Sequence, residues 1–151
     1  MSRSRSLARK RAVQALYVWQ MTDQDLKDID DQFVIEQDMK NVDLEFFKEL
    51  LHKVPANLST IDEMIEPKLD RPFAEIDPIE KAVMRIGVYE LEYRKDVPYK
   101  VVINESVQLA KTFGADQSHK YVNGILDKIA KTLRADEIAY KGKKTKKVSP
   151  P

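Results

Sequence analysis

The side chains in this sequence whose types and spacing suit chemistry are cations and aromatic rings near the starts of predicted helices. Residues 1–11 carry five positive charges. Near the start of the last predicted helix, Lys120 and Tyr121 stand beside His119. Arginine and lysine hold phosphate oxygens, and an aromatic ring can stack on an unpaired base. These two segments therefore suit a phosphate-bearing partner.

Catalysis is a weaker interpretation of the same residues. The two histidines, His52 and His119, are far apart in the sequence and fall in different predicted helices. The chain has no cysteine, no HExxH motif and no glycine-rich phosphate loop. An enzyme would need at least one convergent set of acid and base groups. We therefore expect no catalytic residue, no metal ligands and no cofactor.

Charge is distributed unevenly along the chain. Residues 12–80 contain 17 acidic and 6 basic residues, a net charge of −11, whereas 138–151 carry five lysines. A basic end suits phosphates, and an acidic flank suits a basic protein. Charge runs also simply solvate helices, so charge alone leaves both interpretations open.

Length and composition favour one all-α domain. A chain of 151 residues with only four glycines and no alternating strand pattern indicates about six or seven helices. No apolar run approaches the roughly 20 residues that span a bilayer, and the basic N-terminus lacks the apolar segment of a secretory signal. We expect a soluble cytoplasmic protein, with a helical domain over 1–135 and a basic, disordered tail over 136–151.

The first predicted helix, from Ser6 to Met21, is apolar on two sides. One arc at helical spacing contains Ala8, Ala12, Ala15, Leu16 and Trp19. A second stripe, at i, i+4 and i+8, contains Val13, Tyr17 and Met21. A helix with two apolar sides either lies at the centre of a core or presents one side to a partner.

A later helix has the clearest start, with Asp77 as N-cap, Pro78 in first position and Glu80 placed to complete a capping box. Its apolar arc contains Glu90, and Glu105 follows another apolar run. A buried carboxylate needs a cation or several donors. We expect internal ion pairs for both glutamates, with the candidate cations Lys81, Arg85 and Lys111.

Four blocks of sequence resemble the NusB family, in the family's order and spacing. They are residues 8–17 (ARKRAVQALY), 80–91 (beginning EKAVMRI), 97–111 (beginning VPYKVVINE) and 118–124 (SHKYVNG). The resemblance covers residues 3 to about 134. It implies an all-helical fold of two packed subdomains.

The resemblance also implies a function. NusB-family proteins bind boxA RNA as a heterodimer with NusE, a ribosomal small-subunit protein. With other Nus factors and RNA polymerase they suppress transcription termination. The alternative interpretation is a helical protein-interaction scaffold without direct RNA contact.

Residue roles follow from matching positions in the family. The resemblance implies that the RNA-binding residues are Arg3, Arg5, Arg9, Arg85, Gln117, Lys120 and Tyr121. Many relatives have Phe where Tyr121 stands, and either ring can stack on a base. Tyr17 and Glu80 match positions at the NusE face. The stripe through Tyr17 adds Val13 and Met21 as candidate partner contacts.

Overall fold

The computed structural model describes residues 2–140, and within this range the chain is helical and contains no β-strand. The α-helices are α1 (Arg3–Thr22), α2 (Leu26–Glu36), α3 (Leu44–Ala56), α4 (Leu58–Ile65), α5 (Pro78–Tyr93), α6 (Tyr99–Phe113) and α7 (Ser118–Leu133). Two short 3-10 helices, Glu66–Lys68 and Phe73–Glu75, lie between α4 and α5. The predicted all-α class is confirmed.

Side-chain caps determine where the helices begin. The hydroxyl oxygen of Ser2 accepts a bond from the backbone N–H of Arg5, so α1 begins at Arg3 rather than at the predicted Ser6. Such a cap satisfies a donor that the first helical turn leaves unpaired. The same role is played for α2, α3 and α5 by Asp25, Asp43 and Asp77.

The predicted capping box at α5 is only half correct. The Asp77 carboxylate accepts bonds from the backbone N–H groups of Ile79 and Glu80, as expected of an N-cap. The Glu80 carboxylate instead accepts a 2.8 Å bond from the hydroxyl of Ser118, the first residue of α7. Glu80 therefore joins two helices.

The helices pack in two groups, as expected of two subdomains. In one group α1, α2 and α3 contact one another. In the other, α5, α6 and α7 contact one another and α4 packs on α5. α1 joins the groups because it also contacts α5 and α6.

α5 is the central helix, and all of residues 82–91 are buried. Gly87 makes this position possible. A Cβ atom there would lie 2.8 Å from Leu126 Cδ1 in α7 and 2.9 Å from Ser106 Oγ in α6. The missing side chain therefore lets α6 and α7 approach α5 closely.

A buried ion pair joins α1 to α5. Arg9 Nε and Nη2 donate to the two carboxylate oxygens of Glu90 at 2.8 and 2.7 Å, and both side chains are 1% exposed. Arg9 Nη1 lies 3.7 Å from Glu105, which also accepts a 2.7 Å bond from the Ser6 hydroxyl. The predicted internal ion pairs of both glutamates are confirmed, but Arg9 supplies the cation.

The three cations expected to pair with these glutamates lie elsewhere. Arg85 is bonded to Asp62 of α4, Lys81 faces the ring of Phe73, and Lys111 is exposed. Helical spacing showed that carboxylates lie inside, but the matching cation comes from a distant part of the chain.

The C-terminal end of α7 is held by a second buried arginine. Arg134 donates to the carbonyl oxygens of Leu91 at 2.7 Å and of Arg94 at 3.0 Å, and to Glu137 at 2.7 Å. The helical backbone continues over 135–140, past the boundary expected at residue 135. Most of the predicted basic tail, 141–151, lies outside the described residues.

No helix within residues 2–140 is long and apolar enough to cross a membrane. Over the same range, no group of three or more His, Asp or Glu side chains is arranged to hold a metal ion. His52 bonds to Asp30 at 2.8 Å, which links α3 to α2.

The buried ion pair leads to a stability prediction. Arg9→Met should reduce the free energy of unfolding by about 3–5 kcal/mol, because Glu90 would keep a buried charge without its partner. Urea unfolding measures this change. Combining Arg9→Met with Glu90→Leu should recover most of the loss, since no uncompensated charge remains.

The matched control is Arg3→Met, at an exposed position of the same helix. It should change stability by less than about 0.5 kcal/mol. Equal losses for the Arg9 and Arg3 variants would contradict a structural role for the buried pair.

Candidate functional site

The seven predicted RNA-binding residues differ widely in exposure. Arg3, Gln117 and Lys120 are exposed, and Arg5 and Tyr121 are half-buried. Arg9 and Arg85 are buried, at 1% and 9% exposure. A direct RNA contact by Arg9 is not supported, because its guanidinium lies in the core.

Arg85 is also occupied by internal partners. Its Nε and Nη2 atoms donate to the Asp62 carboxylate at 3.0 and 2.9 Å, and Nη1 donates to Gln20 at 2.8 Å. Its guanidinium carbon lies 5.1 Å from the centre of the Phe73 ring. These contacts hold α5 to α1 and α4, so a direct phosphate contact by Arg85 is not supported.

Arg5 belongs to a partly exposed charge cluster. It lies 3.9 Å from Asp43 and 3.8 Å from Asp96, and its guanidinium covers the Phe46 ring at 5.2 Å. Its side chain keeps 32% exposure. Exposed pairs at such distances contribute little stability, so Arg5 can exchange partners readily.

The N-terminal end of α7 carries three of the predicted RNA-binding residues, Gln117, Lys120 and Tyr121. Gln117 adopts a left-handed conformation, with φ of 70°, and turns the chain into the helix without a side-chain cap. The bond from Ser118 to Glu80 fixes this turn against α5. Lys120 and Tyr121 follow within the first turn of the helix.

Tyr121 is held by the loop between α4 and α5. Its hydroxyl donates to Asp70 at 3.0 Å, and the Arg71 guanidinium lies 5.0 Å from its ring centre. The hydrogen bonds from Arg71 and Tyr121 lower the pKa of the Asp70 carboxyl. Burial and the bond to Asp70 raise the pKa of the Tyr121 hydroxyl, which keeps it protonated as the donor.

An open groove of about 440 Å³ lies beside the N-terminal half of α1. Its lining includes Arg3, Lys10 and Arg11 of α1, Lys40 from the connection between α2 and α3, and Phe113 at the end of α6. Asp38 also lines the groove, and Arg11 donates to its carbonyl oxygen at 3.0 Å. The cations Arg3, Lys10 and Lys40, in a groove that Phe113 also lines, suit a nucleic-acid strand. From the sequence, Lys10 and Arg11 stood out only as charges, and Lys40 and Phe113 were missed as site residues.

One face of α1 connects this groove with the predicted partner stripe. Arg3, Leu7, Lys10, Gln14, Tyr17 and Met21 follow one another at helical intervals of three or four residues, so they share one side of the helix. This spacing could have identified Lys10 from the sequence. We call this set the outer face of α1.

The three predicted partner contacts of α1 do not behave alike. Val13 is 0% exposed, Tyr17 is half-buried and Met21 is 56% exposed. A partner contact by Val13 is not supported, because a spacing of i+4 drifts around the helix and turns Val13 into the core. Met21 borders a second groove of about 400 Å³, which Trp19, Leu58 and Lys81 also line.

Residues 6–131 match the family model described as the NusB family. The chain belongs to the NusB family. A transcription antitermination protein NusB from Marinomonas sp. (strain MWYL1) is 56% identical over 140 residues, covering 91% of this chain and 80% of the relative. The protein of the same name from Idiomarina loihiensis is 53% identical over 131 residues, with 87% and 94% covered.

Solved NusB structures share the fold. T. maritima NusB superimposes with a TM-score of 0.76 at 34% identity, covering 87% of this chain and 93% of that one. A crystal structure of the antitermination factors NusB and NusE in complex with dsRNA contains a chain with a TM-score of 0.80 at 30% identity, covering 87% and 99%. The NusB-type architecture therefore extends over nearly all of the described helices.

The stripe on α1 yields a paired prediction. Val13→Thr should lower the free energy of unfolding by about 1–3 kcal/mol, because it buries a hydroxyl in an apolar site. Met21→Thr, at the exposed end of the same stripe, should change it by less than about 0.5 kcal/mol. Thermal and urea unfolding measure both variants. A larger loss for Met21→Thr than for Val13→Thr would reverse the assignment of core and surface.

Proposed function

We propose that this NusB-family chain is a transcription antitermination factor that binds boxA RNA together with NusE. It would act in the cytoplasm, in a larger complex with other Nus factors and RNA polymerase. The role requires binding only, so no catalytic residue is assigned. Family membership supports the proposal, as does the similar chain in the solved complex of NusB and NusE with RNA.

One observation carries the RNA-binding part of the proposal. The outer face of α1 brings Arg3 and Lys10 to the groove that Phe113 also lines, and α7 begins five residues after Phe113. Lys120 and Tyr121 at the start of α7 add a further cation and a further ring. An RNA strand needs this combination, with cations for phosphates and rings for unpaired bases.

The NusE-binding part rests on the other half of the outer face. Tyr17 and Met21 leave apolar surface uncovered where α1 approaches the start of α5, and Gln20 bonds to the carbonyl oxygen of Pro78 at 2.8 Å. Glu80 lies nearby on α5 but is 9% exposed and bonded to Ser118. We propose Tyr17 and Met21 as the partner contacts, with Glu80 supporting the neighbouring turn.

A scaffold without RNA contact is the second candidate, and the uncovered apolar surface at Met21 favours it. Phosphate contacts release counterions, so RNA binding through the proposed face must weaken with added salt. Fluorescence anisotropy of boxA RNA against a scrambled RNA, with and without NusE, separates the two candidates. Salt-independent or absent RNA binding would leave the scaffold.

The proposed RNA-binding residues predict a change in the salt dependence of boxA binding. Arg3→Ala combined with Lys120→Ala should weaken boxA binding and reduce the slope of log K against log salt by about 0.7 for each phosphate that is no longer neutralised. The fold should be unaffected, since both side chains are exposed. Anisotropy titrations at several salt concentrations measure the slope.

The matched control for this test is Lys53→Ala combined with Lys100→Ala. These exposed lysines lie on α3 and at the first turn of α6, about 20 Å along that helix from Phe113. The control removes the same charge from outside the proposed face. An equal reduction of slope in both double variants would mean that only net charge matters.

The proposed partner contacts predict that NusE binding can be lost while the fold is retained. Tyr17→Asp should abolish NusE binding in calorimetry while circular dichroism keeps its helical signal, because a charge would enter an apolar interface. Tyr93→Asp is the control, since Tyr93 is 41% exposed at the end of α5, outside this face. Unfolding of the Tyr17 variant would assign Tyr17 to the core, and normal NusE binding would remove it from the interface.

A further inference from the structure

The loop between α4 and α5 carries a cation, Arg71, that is not among the seven predicted RNA-binding residues. Arg71 lies between the two 3-10 helices. The loop is held on both sides, since Leu69 and Phe73 pack against the core. The side chain of Arg71 keeps 46% exposure. A cation on an anchored loop beside Tyr121 is well placed to meet a strand that stacks on this ring.

We propose that Arg71 binds an RNA phosphate and that Asp70 holds it over Tyr121 until RNA takes its place. This inference rests on the proposed RNA-binding function. It names a phosphodiester as the ligand of Arg71 and assigns Asp70 as the competing anion.

The hydrogen bonds of Arg71 leave most of its donors available. Its Nε donates to Asp70 at 3.0 Å, and within residues 2–140 no other acceptor is bonded to its guanidinium. A guanidinium has five N–H donors and can hold a phosphate through two parallel bonds. Exposed ion pairs between neighbouring residues contribute little, so a phosphate can displace Asp70 at small cost.

The position of Arg71 also bears on stacking. Its guanidinium covers one side of the Tyr121 ring at 5.0 Å, while Asp70 accepts the Tyr121 hydroxyl bond at 3.0 Å. A base can reach the covered side of the ring only if Arg71 moves away. The same movement would bring the guanidinium out to the RNA backbone, so stacking and phosphate binding favour each other.

Asp70 is the residue through which this competition can be tested. In Asp70→Asn the amide oxygen can still accept the Tyr121 hydroxyl bond, whereas the negative charge that attracts Arg71 is gone. The substitution therefore weakens the hold on Arg71 and leaves the ring supported. Asp70→Asn should tighten boxA binding about 2- to 5-fold, the range expected when an exposed ion pair is removed.

Arg71→Met should act in the opposite direction. It should weaken boxA binding several-fold and reduce the salt slope by about 0.7, the value for one phosphate contact on a single strand. In the Arg71→Met background, Asp70→Asn should tighten binding by no more than the general effect of losing one negative charge, because Asp70 acts through Arg71. This non-additivity is the signature of a coupled pair.

Asp116→Asn is the matched control, since it removes one negative charge near the start of α7. Asp116 is exposed, and its only hydrogen bond to a side chain within residues 2–140 is a 3.4 Å contact with Gln117. It measures the general effect of charge on RNA affinity. In the wild-type background, Asp70→Asn must tighten boxA binding more than Asp116→Asn does. In the Arg71→Met background, the two substitutions must change boxA affinity by the same amount.

Fluorescence anisotropy with labelled boxA and scrambled RNA, with NusE present, measures the wild-type protein and all of these variants. The proposal is overturned if Arg71→Met keeps the wild-type affinity and salt slope, or if Asp70→Asn binds no more tightly than Asp116→Asn. A wild-type protein that does not distinguish boxA from scrambled RNA would instead remove the proposed function itself. Melting temperatures should stay close to wild type in every variant, and a large drop would overturn the proposal by assigning Asp70 and Arg71 a structural role.

Discussion

The surface of this molecule depends on the buried ion pair between Arg9 and Glu90. Two charges remain stable inside a core only when they pair with good geometry. Here two short bonds of 2.8 and 2.7 Å meet that condition. Arg9 faces inward together with the buried Ala8, Ala12 and Leu16, so the residues on the other side of α1 point outward. The outer face, from Arg3 to Met21, lies between about a quarter and a half of a turn away from Arg9.

This constraint explains which features of α1 could be predicted from the sequence. Helical spacing identified α1 and its buried alanines. It also identified, on two other helices, glutamates that need internal ion pairs. It could not show that Arg9 is the partner of Glu90, because the two are 81 residues apart and arginines are mostly exposed. The prediction of Val13 as a partner contact lacks support for a related reason. A short stripe does not define a face of a helix until a tertiary contact fixes the helix rotation.

The contacts between Tyr121 and the loop that joins α4 to α5 could not be predicted from any periodic pattern. Tyr121 itself stood out in the sequence as an aromatic ring beside Lys120. Asp70 and Arg71 belong to a connection between helices, where no spacing rule applies. Their roles emerge from a fold that places this connection over the start of α7, 51 residues later. The helices were therefore predictable, and Tyr121 could be named as a candidate, but the contacts that Asp70 and Arg71 make with it could not.

The acidic residues of 12–80 must be considered together with the cations that they pair with in the fold. The net charge of −11 over 12–80 suggested a surface for a basic protein. Several of these carboxylates are internally paired instead: Glu49 with Arg94, Asp62 with Arg85, and Asp30 with Lys48 and His52. Two of these cations lie beyond residue 80, so counting charge along the sequence separates groups that neutralise each other in the fold. The proposed partner contacts therefore rest on the half-buried Tyr17 and the exposed Met21 rather than on net charge.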